Sequence, residues 1–179
     1  MKKINLGSGS TRIKDVETHD IDPKFGADHS FDLRFTPWPL EDNSYDRVYC
    51  FHTIEHIEKP FHKNIYQEVW RILKPDGVFT LSYPEFEICA KNWIENKNLD
   101  RGFWEATIFG LQRTNSDYHL CAMDCEQVKD SLLRYGFKNV SFSAEARDTF
   151  NTVVHSMKGL KPKTYEHLVY EEVIKEKTA

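Results

Sequence analysis

The feature that most constrains this chain is a short strand that runs straight into two glycines. Ile4 and Leu6 alternate with Lys3 and Asn5, the two-residue period of a strand, and Gly7-Ser8-Gly9 follows at once. Glycine lets the backbone turn sharply and lets a ligand lie against bare main chain. A second apolar stretch, residues 16–21, then ends among two aspartates, Asp20 and Asp22. A carboxylate at the tip of the second strand of an α/β unit can accept both hydroxyls of a ribose, so a nucleoside-containing ligand is the first expectation. The third glycine of G-x-G-x-x-G is absent, because Arg12 stands there. A strand that merely ends in a tight turn is the plainer reading of the same residues.

Length and charge narrow the classes. The 179 residues suffice for one domain, expected to span 1–179, with a sizeable core. A net charge of −4 argues against bulk nucleic-acid binding, which needs a basic face. Cys50, Cys89, Cys121 and Cys125 lack C-x-x-C spacing and read as reduced thiols of a cytoplasmic protein. No apolar run is long enough for a signal peptide or a membrane span.

Along the chain, strands are expected at 3–6, 16–21, 46–51 and 78–83, with a brief edge strand at Phe31-Asp32-Leu33. The loop at 7–15 is too short for the helix of an ordinary parallel crossover. Prolines at 37 and 39 forbid helix there. Phe61, Ile65, Val69 and Leu73 recur every four residues and mark a helix over 59–73. Residues 85–112 read as two aromatic-rich helical pieces broken near 98–102. Asp124 should cap a helix that Gly136 stops. Residues 138–142 and 151–155 read as a closing antiparallel pair, and 164–177 as a charged helical tail. Strands alternating with helices imply an α/β fold, a Rossmann-like α/β/α sandwich whose sheet is mostly parallel with a C-terminal antiparallel pair. Ligands of such sheets sit at the carboxyl ends of the strands. Gly7 to Gly9, Asp20, Phe51-His52 and Tyr83-Pro84 all lie at such ends.

These residues resemble a known family, the class I S-adenosylmethionine-dependent methyltransferases, in particular its short members. Leu6-Gly7-Ser8-Gly9 is similar to the family's Leu-Gly-Cys-Gly, and Asp20-Ile21-Asp22-Pro23 to its acidic motif. Trp38-Pro39-Leu40 with Asn43-Ser44-Tyr45-Asp46 resembles Leu-Pro-Phe-x-Asp-x-Ser-Phe-Asp. Ile54-Glu55-His56-Ile57 resembles Leu-Glu-His-Ile, and the run from Arg71 to Gly77 resembles Arg-Val-Leu-Lys-Pro-Gly-Gly. The resemblance covers roughly residues 3–84. It implies S-adenosylmethionine as cofactor. Leu6, Gly7, Ser8 and Gly9 would meet its methionine part through backbone. Asp20 beside Ile21 would take the ribose, with Asp22 as competitor. Asp32 would accept the adenine amino group, and Leu33 would lie on the ring. Backbone near Phe51 and His52 would meet the methionine amino group. The implied activity is methyl transfer to a small polar acceptor such as a sugar, with a non-catalytic cofactor-binding module as the alternative.

His52-Thr53-Ile54-Glu55-His56 also matches H-x-x-E-H, a zinc-peptidase pattern. That site needs both histidines one helical turn apart and a distant third ligand. Here the segment follows a strand, Pro60 limits any helix, and no third ligand is marked out, so no metal is expected. The polar segment 115–119 is expected to form a lid over the acceptor. His119 is the candidate base within it, and His52, nearer the strand tip, is expected to face the ligand.

Overall fold

The computed structural model describes residues 1–95, 101–144 and 151–159. The charged tail at 164–177 and the expected helix break at 98–100 lie outside the described residues. Among the described residues six strands form one sheet: β1 Lys3–Leu6, β2 Glu17–His19, β3 Tyr45–Phe51, β4 Leu73–Pro84, β5 Phe137–Ala144 and β6 Asn151–Lys158. Their order is β2-β1-β3-β4-β6-β5. The first four strands pair in parallel, and β6 pairs antiparallel with both β4 and β5. This is a Rossmann-like mixed sheet with the expected antiparallel ending. Strand order reverses after β2, so β1 and β3 lie side by side, and their carboxyl ends, Leu6 and Phe51, share one rim.

Helices α1 His62–Ile72, α2 Phe86–Glu95, α3 Arg101–Phe109 and α4 Cys125–Arg134 complete the fold. The four-residue period of α1 buries Ile65, Val69 and Ile72 against Val48, Phe79 and Leu81 of the sheet, each completely inaccessible. Each such side chain stabilises by roughly 1.5–3 kcal/mol. Val128 and Leu132 of α4 join the same core. Asp124 caps α4 by accepting from Gln127 N at 2.9 Å, and Gly136 ends it with φ +87°.

Three local expectations are corrected. The second strand is shorter than 16–21, ending at His19, so Asp20 stands just beyond its tip. Phe31-Asp32-Leu33 forms no strand, since Asp32 Oδ1 accepts from Arg34 N at 2.9 Å and curls the chain. The fourth strand begins at Leu73 rather than 78, and Lys74-Pro75-Asp76-Gly77 sits within it, opposite a register shift between Tyr45 and Arg47.

The proline segment is fixed from α1. Glu68 accepts from Trp38 N at 2.6 Å and from Arg71 Nη2 at 2.6 Å. Arg71 in turn donates to the carbonyls of Trp38 (3.0 Å) and Leu40 (2.7 Å). A segment that can form neither helix nor central strand thus has its backbone groups satisfied by side chains of the neighbouring helix.

Candidate functional site

The glycine turn is held from three sides. Gly7 has φ +66°, and a Cβ built there would lie 2.2 Å from Thr53 Cγ2. Only glycine fits. Thr53 Oγ1 lies 3.3 Å from the carbonyls of Leu6 and Gly7 and 3.0 Å from that of Phe51. It thereby ties the tip of β1 to the tip of β3. His19 is buried, accepts from Gly7 N through Nδ1 at 3.3 Å and donates through Nε2 to Phe31 O at 2.9 Å. This bonding requires the neutral ring, and burial, the largest influence, holds the His19 pKa below its ordinary value.

Gly9 is the opposite case from Gly7. Its φ is +52°, yet a Cβ there would meet nothing within 4 Å. Bare backbone therefore borders open space. Gly9 N donates to Asp20 Oδ2 at 2.8 Å, and Asp22 N donates to Asp20 Oδ1 at 2.9 Å. Asp20 is 8% exposed. Each of its oxygens keeps a further lone pair, which suits it to accept from a diol. Asp22 is engaged elsewhere: it accepts from Lys24 N at 3.0 Å and pairs with Lys24 Nζ at 2.5 Å. Of the two aspartates, Asp20 is the one the fold sets against the glycine turn.

The other expected contacts vary in availability. Leu6 and Ser8 are buried, while Ile21 is exposed. Leu33 is buried within the core cluster, so only an edge of it is open to a ring. Asp32 is held by Arg34, whose Nε lies 3.0 and 3.1 Å from its two oxygens and whose Nη2 lies 2.7 Å from Oδ2. A ligand amino group there would share the carboxylate with Arg34. Phe51 ends β3, and His52 follows with φ +48°, unusual for a residue with a side chain.

A second cluster stands beside this rim. Ile54–His56 is a single 3₁₀ turn, not the helix that H-x-x-E-H requires. His119, not His52, joins Glu55 and His56: one ligand-type atom from each lies within 4.8 Å of the other two. The His56 and His119 rings meet edge to face at 4.8 Å. His56 Nδ1 is 2.9 Å from Tyr118 O, Leu120 N donates to Glu55 O at 2.8 Å, and His119 N donates to Phe109 O at 3.0 Å. The expected lid at 115–119 is thus fastened at its His119 end to the 3₁₀ turn. Burial, first, holds the His119 pKa below the ordinary value. Glu55 is 1% exposed, and neither carboxylate oxygen has a hydrogen-bond partner. His52 Nδ1 stands 3.4 Å from its Oε1. Glu55, His119 and Cys121 line a cavity of about 10 Å³, room for one water-sized sphere.

Cys121 and Cys125 each face other polar groups. Cys121 Sγ faces His62 Nε2 at 3.6 Å, Cys125 Sγ faces Glu85 at 3.1 Å, and none of the four cysteines is in a disulfide. Burial pushes the Cys121 thiol up to about 11.

Residues 27–81 match the family model of a methyltransferase domain. Over 86 residues the chain is 30% identical to the sphingolipid C9-methyltransferase of Komagataella phaffii, covering 45% of this chain and 18% of that one. A methyltransferase structure from Archaeoglobus fulgidus superposes with a TM-score of 0.64 at 11% identity, covering 88% of this chain and 86% of that one. Phosphoethanolamine N-methyltransferase 2 of Haemonchus contortus, solved with S-adenosylhomocysteine, superposes at 0.57 with 12% identity, covering 89% and 50%. The chain has the Rossmann-like fold of these methyltransferase structures, and residues 27–81 resemble the methyltransferase domain. The residues around the turn fit that cofactor: open space lies beside the Cβ-free Gly9, and a buried carboxylate with free lone pairs stands next to it.

Sequence reasoning missed Thr53, His19 and the Glu68–Arg71 clamp as parts of the frame. Each acts through partners 12 or more positions away in the chain, and no local spacing announces them.

Proposed function

We propose that the protein transfers the methyl group of S-adenosylmethionine to a small polar acceptor, a sugar or similar metabolite, in the cytoplasm. The observation that carries this reading is the Gly7-Ser8-Gly9 turn, latched to Asp20 by Gly9 N at 2.8 Å and open beside Gly9. When bound, the cofactor supplies an electrophilic sulfonium methyl, whose C–S bond breaks with the electron pair going to sulfur. The protein's task is alignment. Backbone of Leu6, Gly7, Ser8 and Gly9 bears on the methionine part, and Asp20 with Ile21 on the ribose. Asp32 and Leu33 bear on adenine. Backbone at Phe51 and His52 faces the amino group. The acceptor lies toward the Glu55–His119 cavity, with His119 on its wall and His52 beside Glu55 as the imidazoles offered for its proton. The neutral state that burial favours in His119 is the one a base needs.

The test is transfer of radiolabelled methyl from S-adenosylmethionine to a pool of small metabolites. Label in an acceptor, abolished by Asp20→Ala, supports the reading. Cofactor binding without transfer to any acceptor would favour the non-catalytic module.

A further inference from the structure

A buried carboxylate without a hydrogen bond is costly, because desolvation goes uncompensated. Glu55 is in that position: neither oxygen has a hydrogen-bond partner among the described residues, and His52 Nδ1 stands 3.4 Å from Oε1 without completing one. Two imidazoles face it from different parts of the chain, His56 from the same 3₁₀ turn and His119 from the loop after α3. The other side of each ring is already engaged. His56 donates Nδ1–H to Tyr118 O at 2.9 Å, which leaves the Nε2 lone pair outward. His119 has the carbonyls of Thr107 and Ile108 against its ring. Carbonyls behind imidazoles are the arrangement that orients histidine ligands on a metal.

We infer that Glu55, His56 and His119 form a binding site for a divalent transition-metal ion of the zinc type. Two imidazoles and one carboxylate are a zinc donor set, whereas magnesium and calcium demand oxygen ligands. Donor atoms on zinc stand about 3.4 Å apart for bonds of about 2.1 Å. The three atoms, within 4.8 Å of one another, reach that spacing by side-chain rotation of about an ångström. Glu55 and His119 both line the small cavity beside Cys121, which has room for a water as fourth ligand. If the proposed methyl transfer holds, on which this last step rests, an acceptor oxygen or nitrogen displaces that water. The metal lowers its pKa, so that the nucleophile is ionised before the methyl group arrives. His119 is then a ligand, and His52 is left to receive the proton. The H-x-x-E-H pattern thus places a metal, but with His119 in place of His52 and without a peptidase helix.

The experiment uses the full chain, stripped with a chelator, and titrates Zn²⁺ calorimetrically and Co²⁺ by its visible d–d absorption. One site per chain is expected, with affinity falling at least tenfold in His56→Ala, His119→Ala and Glu55→Gln. His155→Ala, on the exposed face of β6, should bind as the wild type does. Should a histidine variant fail to fold, Zn²⁺ must still raise the Tm of the wild type and raise that of Glu55→Gln less. No saturable Zn²⁺ binding, or binding indifferent to His56 and His119, overturns the inference. S-adenosylhomocysteine binding to the stripped protein is measured in parallel. If it binds and zinc does not, the metal site falls and the methyltransferase reading stands. If zinc binds at these residues and S-adenosylhomocysteine does not, the site stands and the reading falls.

Discussion

Two carboxylates on neighbouring parts of the rim, Asp20 and Glu55, are both nearly buried, and they are treated in opposite ways. Asp20 receives a backbone amide on each oxygen, at 2.8 and 2.9 Å. Glu55 receives none. The first belongs to a frame complete without a ligand, in which His19, Thr53 and the glycine backbone already satisfy one another. The second belongs to a cluster in which the imidazoles are engaged but the carboxylate has no hydrogen bond among the described residues. A preformed cradle suits a cofactor of fixed shape, and an under-satisfied carboxylate suits an ion or a polar substrate that completes it.

The largest effect should come from breaking the frame at Gly7. Gly7→Ala places a methyl group 2.2 Å from Thr53 Cγ2 at φ +66°. It should cost about 2–5 kcal/mol, from left-handed strain of about 1–2 kcal/mol plus overpacking of about 1–3 kcal/mol. Gly9→Ala, with open space, should cost only the strain of about 1–2 kcal/mol in stability. Urea unfolding of the two variants separates them; equal losses would mean that Thr53 does not set the turn.

Next in size, Asp20→Asn should weaken S-adenosylhomocysteine binding by about 1–3 kcal/mol, the worth of charged hydrogen bonds. In chelator-treated protein Glu55→Gln should change stability by less than about 1 kcal/mol, since it removes no hydrogen bond. Thermal unfolding compares them, and a larger stability loss in Glu55→Gln than in Asp20→Asn would invert the contrast.

Acid should act on the frame through His19. Its folded pKa lies below the unfolded value, so the unfolded chain binds the extra proton first. The His19 contribution is whole above about pH 6.5 and is lost as pH falls from there through the folded pKa. Buried His62 and half-buried His119 are shifted the same way and add to the slope. His19→Gln should flatten the dependence of Tm on pH between 7.5 and 5.5. An unchanged slope would show that the ring is not held neutral.

The smallest effect is reserved for Arg34. Its side chain is 38% exposed, and such pairs are worth less than about 1 kcal/mol. Arg34→Ala should therefore leave stability nearly unchanged and raise cofactor affinity by a few-fold at most, by freeing Asp32. A loss of affinity in calorimetry would assign Arg34 itself to the adenine site.

The contrast also explains what the sequence made legible. The proposed cofactor side is written in contiguous runs: a strand, two glycines, an aspartate at the next strand's tip. Period and turn chemistry find these directly. The proposed acceptor side joins Glu55 to His119 across 64 positions, through α1, β4, α2 and α3. The H-x-x-E-H spacing pointed to Glu55 and His56 but offered His52 as their partner. It could not show that a 3₁₀ turn, ended by Ile57 in extended conformation, would turn His56 toward Tyr118 instead. Phe31 to Leu33 misled for a related reason. Its apolar alternation is strand-like, but Asp32 bonds its own neighbour Arg34, and local side-chain bonding outcompeted the sheet.

The most direct test of the central claim is calorimetric titration of the full chain with S-adenosylhomocysteine. The expected result is one site per chain, with affinity at least tenfold weaker in Asp20→Ala and unchanged in Asp22→Ala. No binding to the folded wild-type protein, or a loss in Asp22→Ala alone, would contradict the assignment of this rim to the cofactor.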